Sequence, residues 1–201
     1  MEIIFATGNA HKAVEAQKAL GDSFTLIMPK ELGLTEEIPE NGDTLQANAI
    51  EKAEYLWKKF GKNCFADDTG LEVDALGGAP GVYSARYAGP DKGSEANMTK
   101  LLEELEKVEK EIGNTNRTAR FRTVVALILD GQLHLFNGVL EGKIARTRSG
   151  NEGFGYDPIF IPQGYEKTLA EITLDEKNAI SHRGKAMRAL ADFLKCLPKA
   201  R

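Results

Sequence analysis

Two adjacent acids close an apolar run in the segment Cys64-Phe65-Ala66-Asp67-Asp68-Thr69-Gly70. The apolar residues predict a buried strand, and the glycine predicts a turn directly after the acids. Paired carboxylates repel each other unless a cation or a proton shares the site. A hard ion such as Mg²⁺ suits both carboxylates and phosphates, so the segment indicates metal-assisted chemistry on a phosphate compound. A single aspartate that merely caps the turn is the alternative.

The composition is that of an ordinary globular protein, with 201 residues, 42% hydrophobic and 28% charged, and a net charge of −4. We predict one domain over residues 1–201. The mild acid excess argues against a polynucleotide partner. The aliphatic run 124–129 is too short to cross a membrane. Met1–Phe5 lacks the basic segment of a signal peptide, and Cys64 and Cys196 are expected to be buried thiols, so we expect a cytoplasmic protein.

Strand and helix patterns alternate in the first part of the chain, and a hairpin follows. Asp43 and Gln46 predict a capping box for the second helix, and Ser94 predicts the cap of the third. Asp130-Gly131 predicts a tight hairpin between residues 121–129 and 133–140. The last helix is predicted over 181–197. This order predicts a mixed α/β sheet in two lobes with a central substrate cleft.

The segment Thr7-Gly8-Asn9-Ala10-His11-Lys12 is predicted to lie between the first strand and the first helix. Backbone amides at a helix start, together with a lysine, form a natural phosphate cradle. The segment matches neither the Walker loop nor the dinucleotide glycine pattern. A tight turn with a surface lysine is equally compatible with it.

Three further groups of polar residues are candidates for chemistry. Glu40 precedes the helix on which Asn48 and Lys52 share one face, although Glu40 could simply favour the helix dipole and Lys52 could be a surface lysine. Phe154-Gly155-Tyr156-Asp157 could stack on a flat ring and accept hydrogen bonds from its edge, or could pack as a turn. Lys177, with Ser181-His182-Arg183, favours an anion or a carbonyl-rich ring at a helix start, where Ser181 is the predicted N-cap.

Together and in this order, these clusters resemble the inosine triphosphate pyrophosphatase family. The most specific stretch is residues 66–76, Ala-Asp-Asp-Thr-Gly-Leu-Glu-Val-Asp-Ala-Leu, and it continues in Gly81-Val82-Tyr83-Ser84-Ala85-Arg86. The resemblance implies an elongated mixed α/β fold with a central cleft and a homodimer. It also implies Mg²⁺-dependent hydrolysis of inosine, xanthosine and deoxyinosine triphosphates (ITP, XTP, dITP) to the monophosphate and pyrophosphate.

The resemblance also implies roles for individual residues. Asp68 would be the catalytic acid that holds metal and activates water, and Glu40 the second acid at the metal. The triphosphate would contact residues 7–12 together with Lys52, and Thr69 would contact substrate. Phe154 would stack on the base, flanked by Gly155, Tyr156 and Asp157, while Lys177, His182 and Arg183 would close over the nucleotide. An Arg183 donor facing a 6-oxo group would disfavour adenine.

Two other functions remain open at this point. One is a nucleotide-binding protein without catalysis, against which the acids Glu40 and Asp68 count. The other is a related pyrophosphatase that acts on modified pyrimidine or guanine nucleotides. A panel of substrates with product identification distinguishes all three.

Overall fold

The computed structural model describes residues 1–90 and 93–197, and the side chains of all these residues except Ala10, His11 and Glu15. Within them six strands form: β1 (Glu2–Phe5), β2 (Thr25–Ile27), β3 (Cys64–Val73), β4 (Thr118–Leu129), β5 (Gln132–Ile144) and β6 (Phe160–Pro162). The same residues form five α-helices: α1 (Ala10–Leu20), α2 (Leu45–Phe60), α3 (Ser94–Ile112), α4 (Leu174–Ile180) and α5 (His182–Lys195).

The strands form one six-stranded sheet in the order β2-β1-β3-β4-β5-β6. Strand β1 runs parallel to β2 and to β3, whereas β5 and β6 are antiparallel. The predicted mixed α/β fold is therefore confirmed. The hairpin is also confirmed, because Asp130 and Gly131 join β4 to β5 with φ values of 49° and 82°, as a two-residue turn with two left-handed positions requires.

Backbone contacts divide the chain into two compact units. Unit 1 combines Met1–Asp68, Thr123–Gly138 and the described residues from Arg183 onward, and unit 2 combines the described residues of Thr69–Arg122 and Val139–His182. The core of unit 1 packs β1 and β3 against α1 and α5, with the rings of Phe5 and Phe65 stacked at 4.3 Å. The core of unit 2 is built around Met98, Leu101 and Phe160. The single domain over 1–201 stays a prediction.

Two predicted details of the helix ends are wrong. Thr44, not Asp43, caps α2, and its side chain accepts the backbone N–H of Ala47 at 3.0 Å. Gly93 is the N-cap of α3, and Ser94 is the first residue of that helix. In both cases the predicted cap is a short polar residue one position away from the observed cap. Several residues near a helix start can act as caps, so the sequence does not distinguish them.

Two further predictions need correction. Lys177 lies in α4, a separate helix that was not predicted from the sequence. Thr173 and Glu176 form a capping box at the start of this helix, which is a recognisable sequence signal. Cys196 is exposed rather than buried, since it follows the last turn of α5, whereas Cys64 is buried as expected. Among the helices of the described residues, none combines the length and the apolar character that a membrane span needs.

Candidate functional site

The two adjacent acids lie inside β3, not at its end. The strand continues from Cys64 through Gly70 to Val73, so the predicted glycine turn is wrong. The buried Leu71 and Val73 extend the run of strand-forming residues beyond the glycine, and their burial overrides its tendency to turn. Successive side chains of a strand point to opposite faces of the sheet, so Asp67 and Asp68 have different surroundings.

Asp67 lies on the face of β3 that packs against α1 and α5. Lys12 of α1 donates to both of its carboxylate oxygens, at 3.3 and 3.0 Å, and Arg183 Nε of α5 lies 3.5 Å from Oδ2. The side chain of Asp67 is 1% exposed. Burial raises the pKa of this carboxyl, but the charges of Lys12, Arg183 and Lys52 together lower the pKa below its usual value. Asp67 is therefore held as a buried anion.

Asp68 lies on the other face of β3, against α2. Asn48 Nδ2 donates to Asp68 Oδ2 at 3.2 Å, and the ammonium of Lys52 lies 3.6 Å from Asp68 Oδ1. The same ammonium donates to Glu40 Oε1 at 2.5 Å. Two carboxylates from separate segments, Glu40 and Asp68, therefore share one positive charge.

Asn48 connects the loop that carries Glu40 to the strand that carries Asp68. Its side chain is buried, and its Oδ1 accepts the backbone N–H of Gly42 at 2.7 Å. A Cβ atom on Gly42 would lie 2.6 Å from Ala47 Cβ and 3.0 Å from Asn48 Oδ1, so only glycine permits this close approach. Sequence reasoning placed Asn48 on the face of Lys52 but gave it no role. The side-chain amide could have indicated a structural role for Asn48, because the oxygen and the nitrogen of a buried amide both need hydrogen-bond partners.

The predicted phosphate-binding segment follows β1. Phe5, the last residue of β1, pairs with Phe65 in the parallel ladder, and Thr7 follows two residues later. Thr7 Oγ1 accepts the N–H of Asn9 at 3.1 Å, and Asn9 Oδ1 accepts the N–H of Lys12 at 3.3 Å, which caps α1. Gly8 lies between them. The side chains of Ala10 and His11 lie outside the described residues.

The donor set of unit 1 fits a magnesium ion that arrives with a substrate. Within residues 1–90 and 93–197, no three His, Cys, Asp or Glu side chains gather as a ready-made metal cluster. Magnesium is usually held by one or two carboxylates, with waters and substrate phosphates as its other ligands. Glu40 and Asp68 provide two carboxylates, and both contact the ammonium of Lys52.

In unit 2, Asp157 links the predicted aromatic segment to α4. This buried carboxylate accepts the backbone N–H of Phe154 at 2.8 Å and the ammonium of Lys177 at 2.5 Å, both on Oδ2. The same ammonium lies 4.7 Å from the centre of the Phe154 ring, which is 72% exposed. Gly153 has a φ of 83°, and a Cβ atom there would lie 2.2 Å from Asp157 Oδ2. An exposed aromatic ring and a cation are thus held together.

The remaining predicted residues of unit 2 differ in their surroundings. Tyr156 is buried and its hydroxyl donates to the carbonyl of Ser84 at 2.9 Å, while burial raises the pKa of its phenol. The ring of His182 stacks on Phe121, with centres 4.9 Å apart. Gly155 takes a left-handed φ of 64° next to Phe154, and Thr69 is half-buried in β3 directly after Asp68.

Fold and charge together define a class: mixed α/β proteins in which carboxylates from a loop and a central strand share one lysine. The chain belongs to the Ham1 family, whose model matches residues 3–193. It is 50% identical to a dITP/XTP pyrophosphatase from Flavobacterium johnsoniae, over 96% of this chain and 98% of the relative. It is 48% identical to a dITP/XTP pyrophosphatase from Bacillus subtilis, over 96% of each.

Solved structures agree with this membership. A HAM1 protein from Coxiella burnetii superposes with a TM-score of 0.91 at 40% identity, and the match covers 97% of this chain and 98% of that one. A dITP/XTP pyrophosphatase from Mycobacterium abscessus superposes with a TM-score of 0.81 at 40% identity, over 96% and 99% of the two chains. The family resemblance found in the sequence is therefore confirmed.

Proposed function

We propose that this chain is a nucleoside triphosphate pyrophosphatase that hydrolyses dITP, XTP and ITP to the monophosphate and pyrophosphate with Mg²⁺. The reaction removes non-canonical purine nucleotides from the nucleotide pool. One observation carries the proposal: Glu40 and Asp68 contact the same ammonium, that of Lys52. Relatives that match the chain over nearly its full length and are named dITP/XTP pyrophosphatases support the substrate class.

The chemistry assigns separate tasks to the residues of unit 1. Asp68 accepts a proton from the attacking water, whose oxygen bonds to the α-phosphorus as the bond to the bridging oxygen breaks and pyrophosphate leaves. Glu40 and Asp68 would hold Mg²⁺, which would supply neutralisation of the charge on the phosphates. Lys12, Lys52 and the backbone of residues 7–9 bind the triphosphate oxygens, and Thr69 contacts the substrate.

The residues of unit 2 bind the base. Phe154 offers an exposed ring for stacking, and Lys177 adds a positive charge beside that ring. Asp157 fixes the position of both, and His182 presents its imidazole from the first position of α5. Arg183 donates to the 6-oxo group of hypoxanthine or xanthine. Adenine carries an amino donor at this place, so ATP leaves the arginine without an acceptor and binds less well.

Purified protein with MgCl₂ and each of dITP, XTP, ITP, dGTP, dATP and 2-oxo or methylated nucleotides tests this function. We expect turnover of the first three, with pyrophosphate as the product in the ³¹P spectrum. Orthophosphate as the primary product contradicts the stated reaction. Tight binding of ITP without turnover supports a non-catalytic binding protein, and preference for a modified pyrimidine or guanine nucleotide supports a related pyrophosphatase.

The same proposal includes a cytoplasmic homodimer that takes a small nucleotide rather than a polynucleotide. Tyr83, which is 54% exposed, and the half-buried Val82 provide apolar surface in the segment 77–89. Sedimentation at micromolar concentration measures the mass. A monomer throughout that range contradicts the dimer.

A further inference from the structure

Asp67 is a buried carboxylate to which the proposed reaction gives no task. Both of its oxygens accept hydrogen bonds from Lys12, and Arg183 lies beside Oδ2 at 3.5 Å. Its own side chain is 1% exposed, whereas Lys12 is 26% and Arg183 is 16% exposed. The two cations therefore cover the carboxylate and keep part of their own surface outward.

This geometry excludes two other tasks for Asp67. Asp67 with Lys12 and Arg183 already carries one net positive charge, which repels a divalent cation, whereas Glu40, Asp68 and Lys52 together carry one net negative charge. A water molecule would have to pass the covering side chains to lose a proton to it. Asp67 therefore acts on a substrate through the two cations that cover it, Lys12 and Arg183.

We propose that Asp67 is a positioning residue that fixes Lys12 and Arg183 in their substrate-binding orientations before the nucleotide arrives. The inference rests on the proposed function, in which Lys12 binds the triphosphate and Arg183 binds the base. Lysine and arginine have long side chains with many rotamers, and fixing them in advance reduces the entropy lost when a ligand binds. The group of three retains one net positive charge, so it still attracts an anion.

The position of Asp67 in the fold explains how one carboxylate reaches both cations. Residues 7–12 follow β1, the neighbour of β3, and Arg183 is the second residue of α5. Helices α1 and α5 pack in the same core, on the Phe65 face of β3, and Asp67 follows Phe65 on that face. A single side chain in a central strand thus links two segments that are 171 positions apart in the sequence, Lys12 and Arg183.

The first test compares wild type with Asp67→Asn, which keeps the shape and removes the charge. We expect kcat/KM for dITP to fall by roughly 10- to 100-fold, as for residues that orient a ligand group. Lys12→Met shows how much Lys12 contributes, and the double variant should lose clearly less than the product of the two single losses, because only the effect of Asp67 on Arg183 remains once Lys12 is gone. A loss in the double variant equal to the product of the two single losses overturns the inference, as does an Asp67→Asn value within twofold of wild type.

Glu109→Gln is the matched control. Glu109 accepts from two arginines, with Arg117 Nε at 3.0 Å and Arg146 at 2.8 Å, and its side chain is 14% exposed. It lies in α3 and has no part in the proposed site. Its substitution removes a carboxylate with two cationic partners but should leave kcat/KM unchanged. An equal loss in both variants identifies a general effect of broken ion pairs and overturns the positioning role.

A binding measurement distinguishes this inference from the proposed function. Calorimetry with inorganic tripolyphosphate and no metal needs no turnover, so it remains informative if the wild type proves inactive on every nucleotide. Removing a negative charge near an anion strengthens binding by Coulomb's law alone. The positioning role predicts the opposite, an affinity about three- to tenfold weaker in Asp67→Asn, and an unchanged or tighter affinity overturns it.

If Asp67→Asn does not fold, Lys12→Met, Arg183→Gln and their double variant provide the same information. Tripolyphosphate has no base for Arg183 to contact. A coupling of more than threefold between the two substitutions in tripolyphosphate binding supports the linkage through Asp67. Additive effects overturn it.

Discussion

Asn48 Nδ2 donates to Asp68 Oδ2 at 3.2 Å, which leaves the other carboxylate oxygen of Asp68 toward Lys52. The oxygen of the same amide holds the backbone of Gly42, two residues after Glu40. One buried amide therefore orients the proposed catalytic acid and the loop of the second acid together. The amide has no chemistry of its own, so substitutions can separate orientation from catalysis.

We expect Asp68→Asn to lower kcat for dITP by at least about a hundredfold, because an amide neither accepts the proton of the attacking water nor binds Mg²⁺ as a carboxylate does. Circular dichroism should show an unchanged fold. Asp74→Asn is the control, since Asp74 contacts Arg120 at 2.9 Å and has no task in the proposed reaction. Retention of more than a tenth of wild-type kcat in Asp68→Asn contradicts the catalytic role.

Asn48→Asp places a carboxylate oxygen against Asp68 Oδ2, where a donor stood. We expect a loss of about 1–3 kcal/mol in the free energy of unfolding and a fall in kcat, since the two carboxylates repel each other. Asn97→Asp is the matched control, because Asn97 is also buried and its side-chain oxygen accepts the backbone N–H of Ala88 at 2.7 Å. Denaturant unfolding and turnover are measured on both variants. Only Asn48→Asp should lose activity beyond what its stability loss explains.

Lys52→Met removes the ammonium between Glu40 and Asp68, so the two carboxylates face each other without a cation. Without Mg²⁺ we expect a destabilisation of roughly 1–3 kcal/mol, less than for a fully buried pair because Glu40 is 40% exposed. Added Mg²⁺ should raise the Tm of this variant more than that of wild type, since the ion binds only where the carboxylates meet. Lys58→Met, whose lysine is 75% exposed on the same helix, is the control. Equal Mg²⁺ shifts in all three proteins contradict a shared metal position.

Phe154→Ala removes an aromatic ring that is 72% exposed. Stacking of a base on such a ring contributes about 1–3 kcal/mol, so we expect kcat/KM for dITP to fall by about tenfold or more with Tm unchanged. Ile112→Ala is the control at the same exposure, in α3, and it should change neither quantity. Unchanged kinetics in Phe154→Ala place the base elsewhere.

The two cysteines should react differently with thiol reagents. Burial raises the pKa of the Cys64 thiol from 9.0 to about 12, whereas Cys196 is exposed. At pH 8 one thiol of the native protein should react rapidly with a disulfide reagent, and two should react in denaturant. Rapid reaction of both native thiols contradicts this assignment.

The raised pKa of Cys64 also predicts that the free energy of unfolding depends on pH. Between about pH 9 and 12 the unfolded chain loses the Cys64 proton while the folded chain keeps it, so the free energy of unfolding falls as pH rises through this range. The slope should be smaller in Cys64→Ala, which lacks the thiol. Identical slopes in the two proteins, measured by denaturant unfolding at several pH values, would show that the thiol is not responsible.

Much of the fold could be predicted from the sequence because its signals are local. The Asp130-Gly131 turn needs only its own two residues, and the apolar spacing of α2 is read from one segment. The continuation of β3 through Gly70 could not be predicted in this way. It depends on neighbouring strands and on the burial of Leu71 and Val73, which only the folded chain supplies.

In the candidate site, too, some features follow from local sequence signals and others depend on tertiary contacts. The predicted site residues could be named from local motifs, and the structure brings Glu40, Lys52 and Asp68 together. The pairing of Asp67 with Lys12 and Arg183 could not be predicted, because it depends on which face of β3 each acid occupies. The face that each acid occupies depends on the register of β3, and this register cannot be assigned when a turn is predicted at Gly70.

The alternation within β3 makes its two acids non-interchangeable. If one residue were deleted between Cys64 and Asp67 and the neighbouring ladder stayed in place, Asp68 would move to the α1 and α5 side of the sheet, and its place toward Lys52 would pass to Thr69, a residue without charge. The number of residues that precede the acids in this strand therefore matters as much as the identity of the acids.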